Sequence, residues 1–377
     1  MTGLAPPSVR DAVCYAEHMA RKSSSWTAGT RPGLRLDSLA PGAALPGGEF
    51  TVHGADLVPE RGLPRLRVGG QLAPLILAAP AAIMARVPER ALSGQVEMAT
   101  DDGAVAGPNL VVAVQIADNL HPVCNPALDP EGNIWATLSG TRGQKTPVSI
   151  YRIDANYTVS AWSSALTNPS GLAFDREGTL FASSRHDGAV YRLAANGTAT
   201  LHAGGLGIAT GIAFDSAGDL YVGDRSGTIF KIDAQRSTFV FATLEPSVAA
   251  YHLAFGPDNY LYVSGPTTSS FDAIWRISPS GEVSTFFRGL GRPQGIAFDA
   301  NGDLYAVASH AGRCGVIRIT PAGVAECVLS GHSLVGLAFA PALAPAPAAP
   351  GSSLILATHN ALFHVPWPTA GRPLPPA

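Results

Sequence analysis

The sequence predicts an all-β protein, and its composition and pattern both indicate this class. Only 14% of the 377 residues are charged and 46% are hydrophobic, and the chain contains 41 glycines and 31 prolines. Such a composition favours short strands joined by tight turns over long helices. Apolar segments of strand length, separated by glycine-containing turns, recur along most of the chain, and no helical periodicity is found after residue 109.

One sequence unit recurs through this region. Each of its five clear copies places an apolar strand before a D-x-x-G or similar turn and a second strand, and the copies read NPALDPEGNIWATLSG, SGLAFDREGTLFASS, TGIAFDSAGDLYVGD, YHLAFGPDNYLYVSG and QGIAFDANGDLYAVA. The turn glycine can adopt the positive φ that a short hairpin needs. A third and a fourth strand complete each unit. A weaker sixth copy begins at Val335, is interrupted by the Pro/Ala-rich residues 341–353, and resumes at LILATH.

The spacing of the copies predicts a six-bladed β-propeller over residues 109–377. Neighbouring copies lie 40 to 46 residues apart, and four strands at such a spacing are typical of propeller blades. The sixth unit lacks a fourth strand after its third. Residues 110–116, LVVAVQI, resemble the fourth strands of other units. We therefore expect them to close the ring by pairing its two open edges.

These segments resemble known families. The GIAFD-xxG-DLYV pattern is similar to the NHL-repeat propellers and to the gluconolactonase (senescence-marker-protein) superfamily, whose architecture hosts lactonases, other hydrolases, lyases and binding modules. Residues 31–108 resemble an IPT/TIG domain, an immunoglobulin-like β-sandwich, in their RVGG and VP-x-x-x-x-SG strands. That resemblance implies a spacer or binding appendage. Residues 1–30 are predicted to be an N-terminal extension, with a short helix between Pro7 and Ser25.

The loops predict a ligand site on one face of the ring. Strands alternate in direction within a blade, so the loops between second and third strands share a face with the links between blades, and this face is the usual ligand mouth. Six of the ten histidines map to these loops and links: His121, His186, His252, His310, His332 and His359. A ring of arginines is expected there too, including Arg313 of the fifth unit. The residues predicted to bind a ligand are Arg142, Arg185, Arg225, Gln294, His310 and Asn125.

Three residues are candidates for catalysis. His252 replaces the glycine of four other units, His186 lies in the SSRHDG segment, and Asp224 follows the second strand of its unit. Each has a structural alternative. RHDG suits a polar hairpin turn, His252 suits a hydrogen-bonded buried histidine, and Asp224 suits an ion pair with Arg225. The third-strand arginines are expected to be structural: Arg152, Arg192, Arg276 and Arg318.

The resemblance to gluconolactonases implies a divalent metal that activates water and polarises an ester carbonyl. The equivalent positions here are Cys124 or Asn125, Thr210 or Tyr251, and Gln294, and none is a carboxylate. The metal and its ligands are therefore left open, with a histidine base and arginine-stabilised oxyanion as the other route. The G-x-S-x-G, P-loop and G-x-G-x-x-G motifs of other enzyme classes are absent from the sequence.

The remaining expectations concern partners and location. A net charge of −3 gives no general reason to expect nucleic acid or an anionic membrane as partner, and the four cysteines are expected to be free thiols. As written, the chain is expected to be cytoplasmic; if a leader was removed, it is extracytoplasmic. The predicted ligand is a small anionic or hydroxylated molecule such as a sugar acid or its lactone, with lactonase-like hydrolysis as the reaction. The alternative is a non-catalytic NHL-type module that binds a protein partner.

Overall fold

The structure is a computed structural model that describes residues 33–60, 62–100, 103–141, 143–340 and 352–372. Within these ranges the chain forms strands and turns without a helix, so the predicted all-β class is confirmed. None of the described elements is a helix with the length and apolarity that crossing a membrane would need. The helix predicted between Pro7 and Ser25 lies outside the described residues.

An N-terminal β-sandwich precedes the ring. Its nine strands are β1 (Arg35–Ala40), β2 (Ala43–Ala44), β3 (Glu49–Ala55), β4 (Arg65–Val68), β5 (Gln71–Leu72), β6 (Leu75–Ala79), β7 (Ala82–Arg86), β8 (Gly94–Thr100) and β9 (Gly103–Val112). One sheet has the order β1-β3-β7-β6, and β2-β9-β8-β4-β5 forms the other. Between the sheets lies a core that includes Phe50, Leu66 and Ile83. The resemblance of the sandwich to IPT/TIG domains stays a prediction.

Six four-stranded blades follow, as predicted. The strands of blades 1 to 3 are β11 (Ala127–Leu128), β12 (Ile134–Thr137), β13 (Ile150–Ile153) and β14 (Val159–Ser163); β15 (Pro169–Phe174), β16 (Leu180–Ser184), β17 (Ala189–Leu193) and β18 (Ala199–Ala203); β19 (Ala209–Phe214), β20 (Leu220–Asp224), β21 (Thr228–Ile232) and β22 (Thr238–Thr243).

The strands of blades 4 to 6 are β23 (His252–Phe255), β24 (Leu261–Ser264), β25 (Asp272–Ile277) and β26 (Val283–Leu290); β27 (Ile296–Phe298), β28 (Leu304–His310), β29 (Arg313–Ile319) and β30 (Ala325–Ser330); β31 (Leu334–Ala340), β32 (Ser352–Thr358) and β33 (Leu362–Trp367), completed by β10 (Val114–Ala117). Blade 6 is thus closed by a strand from before blade 1, as expected.

The closing strand is shifted from its predicted position at 110–116. Only β10 pairs with β33, whereas residues 110–112 belong to β9, which crosses the predicted boundary at residue 109. Leu110 and Val112 are buried in the core of the sandwich. The apolar run LVVAVQIA therefore serves both units, and it changes partner at Ala113.

The repeated residues explain how neighbouring blades pack. The aspartate of each D-x-x-G turn accepts a bond from the backbone N–H four residues later, as Asp175 does from Thr179 at 2.7 Å, so these aspartates are turn formers as predicted. The phenylalanine of one unit meets an aromatic ring of the preceding blade edge-to-face. The pairs are Phe181–Phe214, Tyr221–Phe255, Tyr262–Phe298 and Tyr305–Phe339, with ring centroids 4.8 to 5.1 Å apart.

The sandwich and the ring share one sheet. Strand β2 pairs in parallel with both β30 of blade 5 and β9, so a nine-stranded sheet runs from blade 5 into the sandwich. Arg313 adds to this junction by donating to the Ala40 carbonyl and, at 3.2 Å, to the Thr51 hydroxyl. The two units are joined by backbone hydrogen bonds as well as by side chains.

Candidate functional site

A cavity of about 470 Å³ opens at the predicted mouth of the ring. Its walls come from blade links and second-to-third loops, and its charged or titratable lining residues are Arg185, Arg225, Arg292, His121, His332, His359 and Cys314. Among the described residues that line it there is no aspartate or glutamate. The cavity, which we call the mouth cavity, is large enough for a small organic ligand and carries positive charge without a compensating carboxylate.

Arg185 and Arg225 lie close enough in the mouth cavity for their positive charges to repel each other. The pKa of Arg185 is lowered first by burial, is raised by the nearby Cys124, and is lowered again by Arg225. Arg185 donates to the Gly140 carbonyl at 3.1 Å, and Arg225 donates to the Val248 carbonyl at 2.8 Å. The Nε of Arg225 is buried and has no hydrogen-bond partner in the described part of the chain. An anion placed here would relieve the repulsion and supply that partner.

The histidines of the mouth cavity differ in their contacts. Nδ1 of His121 bonds to the Ser139 carbonyl, which can only accept, so Nδ1 carries a proton and Nε2 is not part of this bond. The pKa of His359 is lowered by burial first, and then by His121 and Arg292. His359 is therefore neutral at pH 7. The mouth cavity thus holds neutral imidazole nitrogen beside guanidinium groups, a combination suited to general-base chemistry on an anionic substrate.

Of the residues predicted to bind a ligand, three line the mouth cavity: Arg185, Arg225 and Gln294. The Gln294 side-chain amide lies 3.4 Å from the Leu334 carbonyl, to which it donates. Arg142 lies outside the described residues. The remaining members of the predicted set are placed elsewhere.

The SSRHDG segment folds as a tight hairpin turn. Gly188 has a φ of 64° and its N–H donates to the Ser184 carbonyl at 3.1 Å. Asp187 accepts a bond of 2.5 Å from the Tyr191 hydroxyl, and both Asp187 and His186 are exposed. Only Arg185 of this segment lines the mouth cavity, so the structure does not bring His186 to it.

Asp224 also lies apart from the mouth cavity, although it is buried. Its carboxylate accepts bonds from the Ile208 N–H at 2.7 Å and from the Ser226 hydroxyl. A Cβ at Gly207 would lie 2.6 Å from this carboxylate, so the link between blades is built around it. No ion pair with Arg225 is found over the described ranges, which contradicts that alternative. The contacts of Asp224 are those of a loop-fixing residue.

His310 is turned away from the mouth, and so is Arg313. Strands β28 and β29 continue into the segment that was predicted to be a loop, and His310 pairs directly with Arg313 at the end of the hairpin. Paired residues of an antiparallel ladder point to the same face, so both side chains point away from Ser309 and Cys314, the adjacent pair that lines the mouth cavity. The His310 ring packs edge-to-face on Phe287, with ring centroids 5.8 Å apart.

Asn125 and His252 lie deeper in the channel. Asn125 accepts from the Leu337 N–H at 3.1 Å and donates to the Ile296 carbonyl at 2.9 Å, so its amide holds inner strands of blades 5 and 6. His252 is only 2% exposed, and neither ring nitrogen has a hydrogen-bond partner in the described structure. The predicted alternative of a hydrogen-bonded core histidine is therefore not seen. Both residues line a second cavity on the other side of the ring.

The divalent metal implied by the resemblance does not fit these residues. Hard cations such as Ca²⁺ are bound mainly by carboxylate and carbonyl oxygens. The described lining of the mouth cavity contains no carboxylate, and no group of three or more histidine, cysteine, aspartate or glutamate side chains capable of holding a metal occurs in the part searched. Burial raises the pKa of Cys124 to about 12, so its thiol is protonated at neutral pH.

Sequence reasoning missed four residues that line the mouth cavity. His121, His332 and His359 were mapped to mouth loops but not chosen, and Arg292, in the link before blade 5, was overlooked. The usable signal was position: all four lie in blade links or second-to-third loops. Position alone would have found all four, but it would also have kept His186, which lies in a second-to-third loop and does not line the mouth cavity.

The architecture is that of a six-bladed propeller preceded by a β-sandwich, and solved structures share its fold. A candidate gluconolactonase is 18% identical, with a TM-score of 0.55 over 70% of this chain and 94% of that one. A gluconolactonase from Xanthomonas campestris is 17% identical, with a TM-score of 0.51 over 67% of this chain and 89% of that one. The fold is therefore that of a gluconolactonase-like propeller.

A third similar structure extends over the sandwich as well. It is an auxiliary nutrient binding protein from Bacteroides thetaiotaomicron, 13% identical, with a TM-score of 0.52 over 90% of this chain and 99% of that one. No protein-family model matches the sequence, and no curated protein matches it. At these identities the comparisons define the fold.

Proposed function

We propose that the mouth cavity binds a small anionic or hydroxylated molecule, such as a sugar acid or its lactone, and that the chain hydrolyses the lactone ring. The observation that carries this proposal is the lining of the mouth cavity, which includes three arginines and no carboxylate in the described structure. A guanidinium fork matches a carboxylate or a developing oxyanion. The gluconolactonase-like fold adds support at the level of architecture.

The proposed chemistry gives His121 and the two arginines separate roles. His121 Nε2 takes a proton from water, and the water oxygen bonds to the lactone carbonyl carbon. Arg185 and Arg225 stabilise the resulting oxyanion. The carbon–oxygen bond of the ring then breaks, the leaving oxygen receives the proton from His121, and a hydroxy acid results. No step uses a metal, because the donor set suits none of the hard cations.

A second candidate function is binding without catalysis. The nutrient binding protein covers the sandwich as well as the ring of this chain, which the gluconolactonases do not. A solute-binding role needs the same mouth cavity and the same arginines, but no base at His121. A cavity of about 470 Å³ with charged and titratable side chains in its lining favours a small molecule over a protein partner.

The test measures gluconate binding by calorimetry and glucono-δ-lactone turnover, each with and without chelator. We expect Arg225→Ala and Arg185→Ala each to weaken gluconate binding about tenfold or more, because each removes charge-assisted hydrogen bonds. His121→Gln should lower kcat by about a hundredfold or more while gluconate binding persists. His186→Ala is the matched control, an exposed histidine on a mouth loop outside the cavity.

The outcomes separate the candidates. Gluconate binding that depends on the arginines, without lactone turnover, would support the binding function and contradict hydrolysis. Turnover lost with chelator would contradict the metal-free route. Binding and turnover unchanged by both arginine substitutions would overturn the site itself.

A further inference from the structure

The central channel has a second cavity at its other end. It has a volume of about 290 Å³, and its upper end is formed by His252 and the backbone of inner strands one residue below the floor of the mouth cavity. We call it the lower cavity. It has room for about ten water molecules, or for one six-membered ring with its substituents.

The wall of the lower cavity is aromatic and repeats around the ring. Phe214, Phe255, Phe298 and Phe339 occupy the same position in four successive units, and each is fixed by an edge-to-face ring of the preceding blade. Rings held in this way present rigid apolar surface. A flat apolar body would be bound here with little loss of side-chain freedom.

The upper end of the lower cavity is a neutral hydrogen-bonding group. Burial lowers the pKa of His252 to about 3, so the imidazole is uncharged at neutral pH. One ring nitrogen is then a donor and the other an acceptor, and neither is satisfied within the described residues. A buried polar side chain without a partner costs free energy, and a hydroxyl group, which both donates and accepts, is its natural complement.

The open end is built by the last described residues of the chain. After β33 the chain passes beneath the ring, where Ala300 donates to the Ala370 carbonyl and Arg372 N–H donates to the Phe298 carbonyl at 3.1 Å. The Arg372 guanidinium donates to the Phe255 carbonyl at 3.0 Å, and no ion pair is found for it in the described part. The lower cavity has no carboxylate among its described lining residues, so Arg372 is placed to meet an anion.

From this arrangement we propose that the lower cavity is a second binding site, specific for a small hydroxylated aromatic acid. Its ring lies between the phenylalanines, its hydroxyl bonds to His252, and its carboxylate pairs with Arg372. The site is separate from the mouth cavity and does not depend on the function proposed there.

The test uses three probes that differ by one group: 4-hydroxyphenylacetate, phenylacetate without the hydroxyl, and 4-methylphenol without the carboxylate. Ring nitrogens of the histidines are followed by NMR, and the signals of His252 are assigned by their loss in His252→Gly, which restores the glycine of four other units. We expect 4-hydroxyphenylacetate to shift those signals and to bind about tenfold more tightly than either other probe.

The variants assign each group to its partner. In His252→Gly, 4-hydroxyphenylacetate and phenylacetate should bind equally, and in Arg372→Gln, 4-hydroxyphenylacetate and 4-methylphenol should bind equally. Arg225→Ala, which alters the mouth cavity, should leave all three affinities unchanged. If no probe moves the His252 signals, or if binding is lost in Arg225→Ala, the proposal is overturned while the mouth site stands on its own test.

Discussion

The two ends of the central channel differ in the origin of their side chains. The mouth cavity is lined by loops and blade links that differ from unit to unit, and it carries arginines and histidines. The lower cavity is lined by the repeated phenylalanines of the inner strands, and His252 and Arg372 are the exceptions there. The repeat thus fixes an apolar lower end, and departures from the repeat supply the polar groups at both ends.

The polar group at the upper end of the lower cavity departs from the glycine that the repeat places on its inner strands. Glycine at the inner-strand position is required by close packing, since a Cβ at Gly211 would lie 2.3 Å from the Tyr251 carbonyl. The next strand nevertheless carries His252 at that position. A bulky titratable group in such a place has an energetic cost, and that cost is the reason to attach function to it.

The largest effect that separates the two ends is on acid stability. Burial lowers the pKa of His252 in the folded state from 6.5 to about 3, so the unfolded chain binds the proton first as the pH falls. The folded state then loses stability below about pH 6.5. His252→Gly should reduce the loss between pH 7 and pH 5 by about 2 kcal/mol.

Urea unfolding at the two pH values measures this difference. His364, whose pKa burial lowers to about 4, contributes to acid sensitivity in both proteins and does not affect the comparison. Equal loss of stability in the wild type and in His252→Gly would mean that the imidazole is protonated in the folded protein, which would contradict a neutral group in the lower cavity.

A smaller effect should distinguish two arginines of the mouth-side loops. Arg313→Ala should lower the free energy of unfolding by about 1–2 kcal/mol, because Arg313 bonds to the Ala40 carbonyl and the Thr51 hydroxyl across the junction. It should leave gluconate binding unchanged. Arg225→Ala should weaken gluconate binding and leave the free energy of unfolding nearly unchanged. Loss of gluconate affinity in Arg313→Ala would place that side chain in the mouth cavity after all.

The blades were predictable because their signal is local. Each unit repeats a strand, a turn with a glycine, and an aromatic residue, and these residues contact one another within a unit or between adjacent units. The closing strand was displaced because LVVAVQIA is apolar throughout, and nothing in its sequence marks Ala113 as the point where it changes partner. The two-residue strand β2 that joins the units is too short to predict from any pattern.

The site was less predictable, since a loop assignment does not fix the direction of a side chain. The SHAGRCG segment was expected to be a loop, but β28 and β29 continue to His310 and Arg313. Because side chains alternate along a strand, those of His310 and Arg313 point away from the mouth cavity. Asp224 was chosen for its carboxylate, yet its turn contacts with Ile208 and Ser226 could be known only from the structure.

The smallest effect is expected for His186→Ala. The imidazole is exposed in a hairpin turn that is held by Gly188 and by the bond between Asp187 and Tyr191, so its removal should change the free energy of unfolding by less than about 0.5 kcal/mol. Gluconate affinity and lactone turnover should also be unchanged, although substitution of Arg185, its neighbour in sequence, should weaken gluconate binding. If His186→Ala weakened gluconate binding as Arg185→Ala does, the mouth site would extend over the hairpin. Residue type would then have been a better guide than the placement of the side chain.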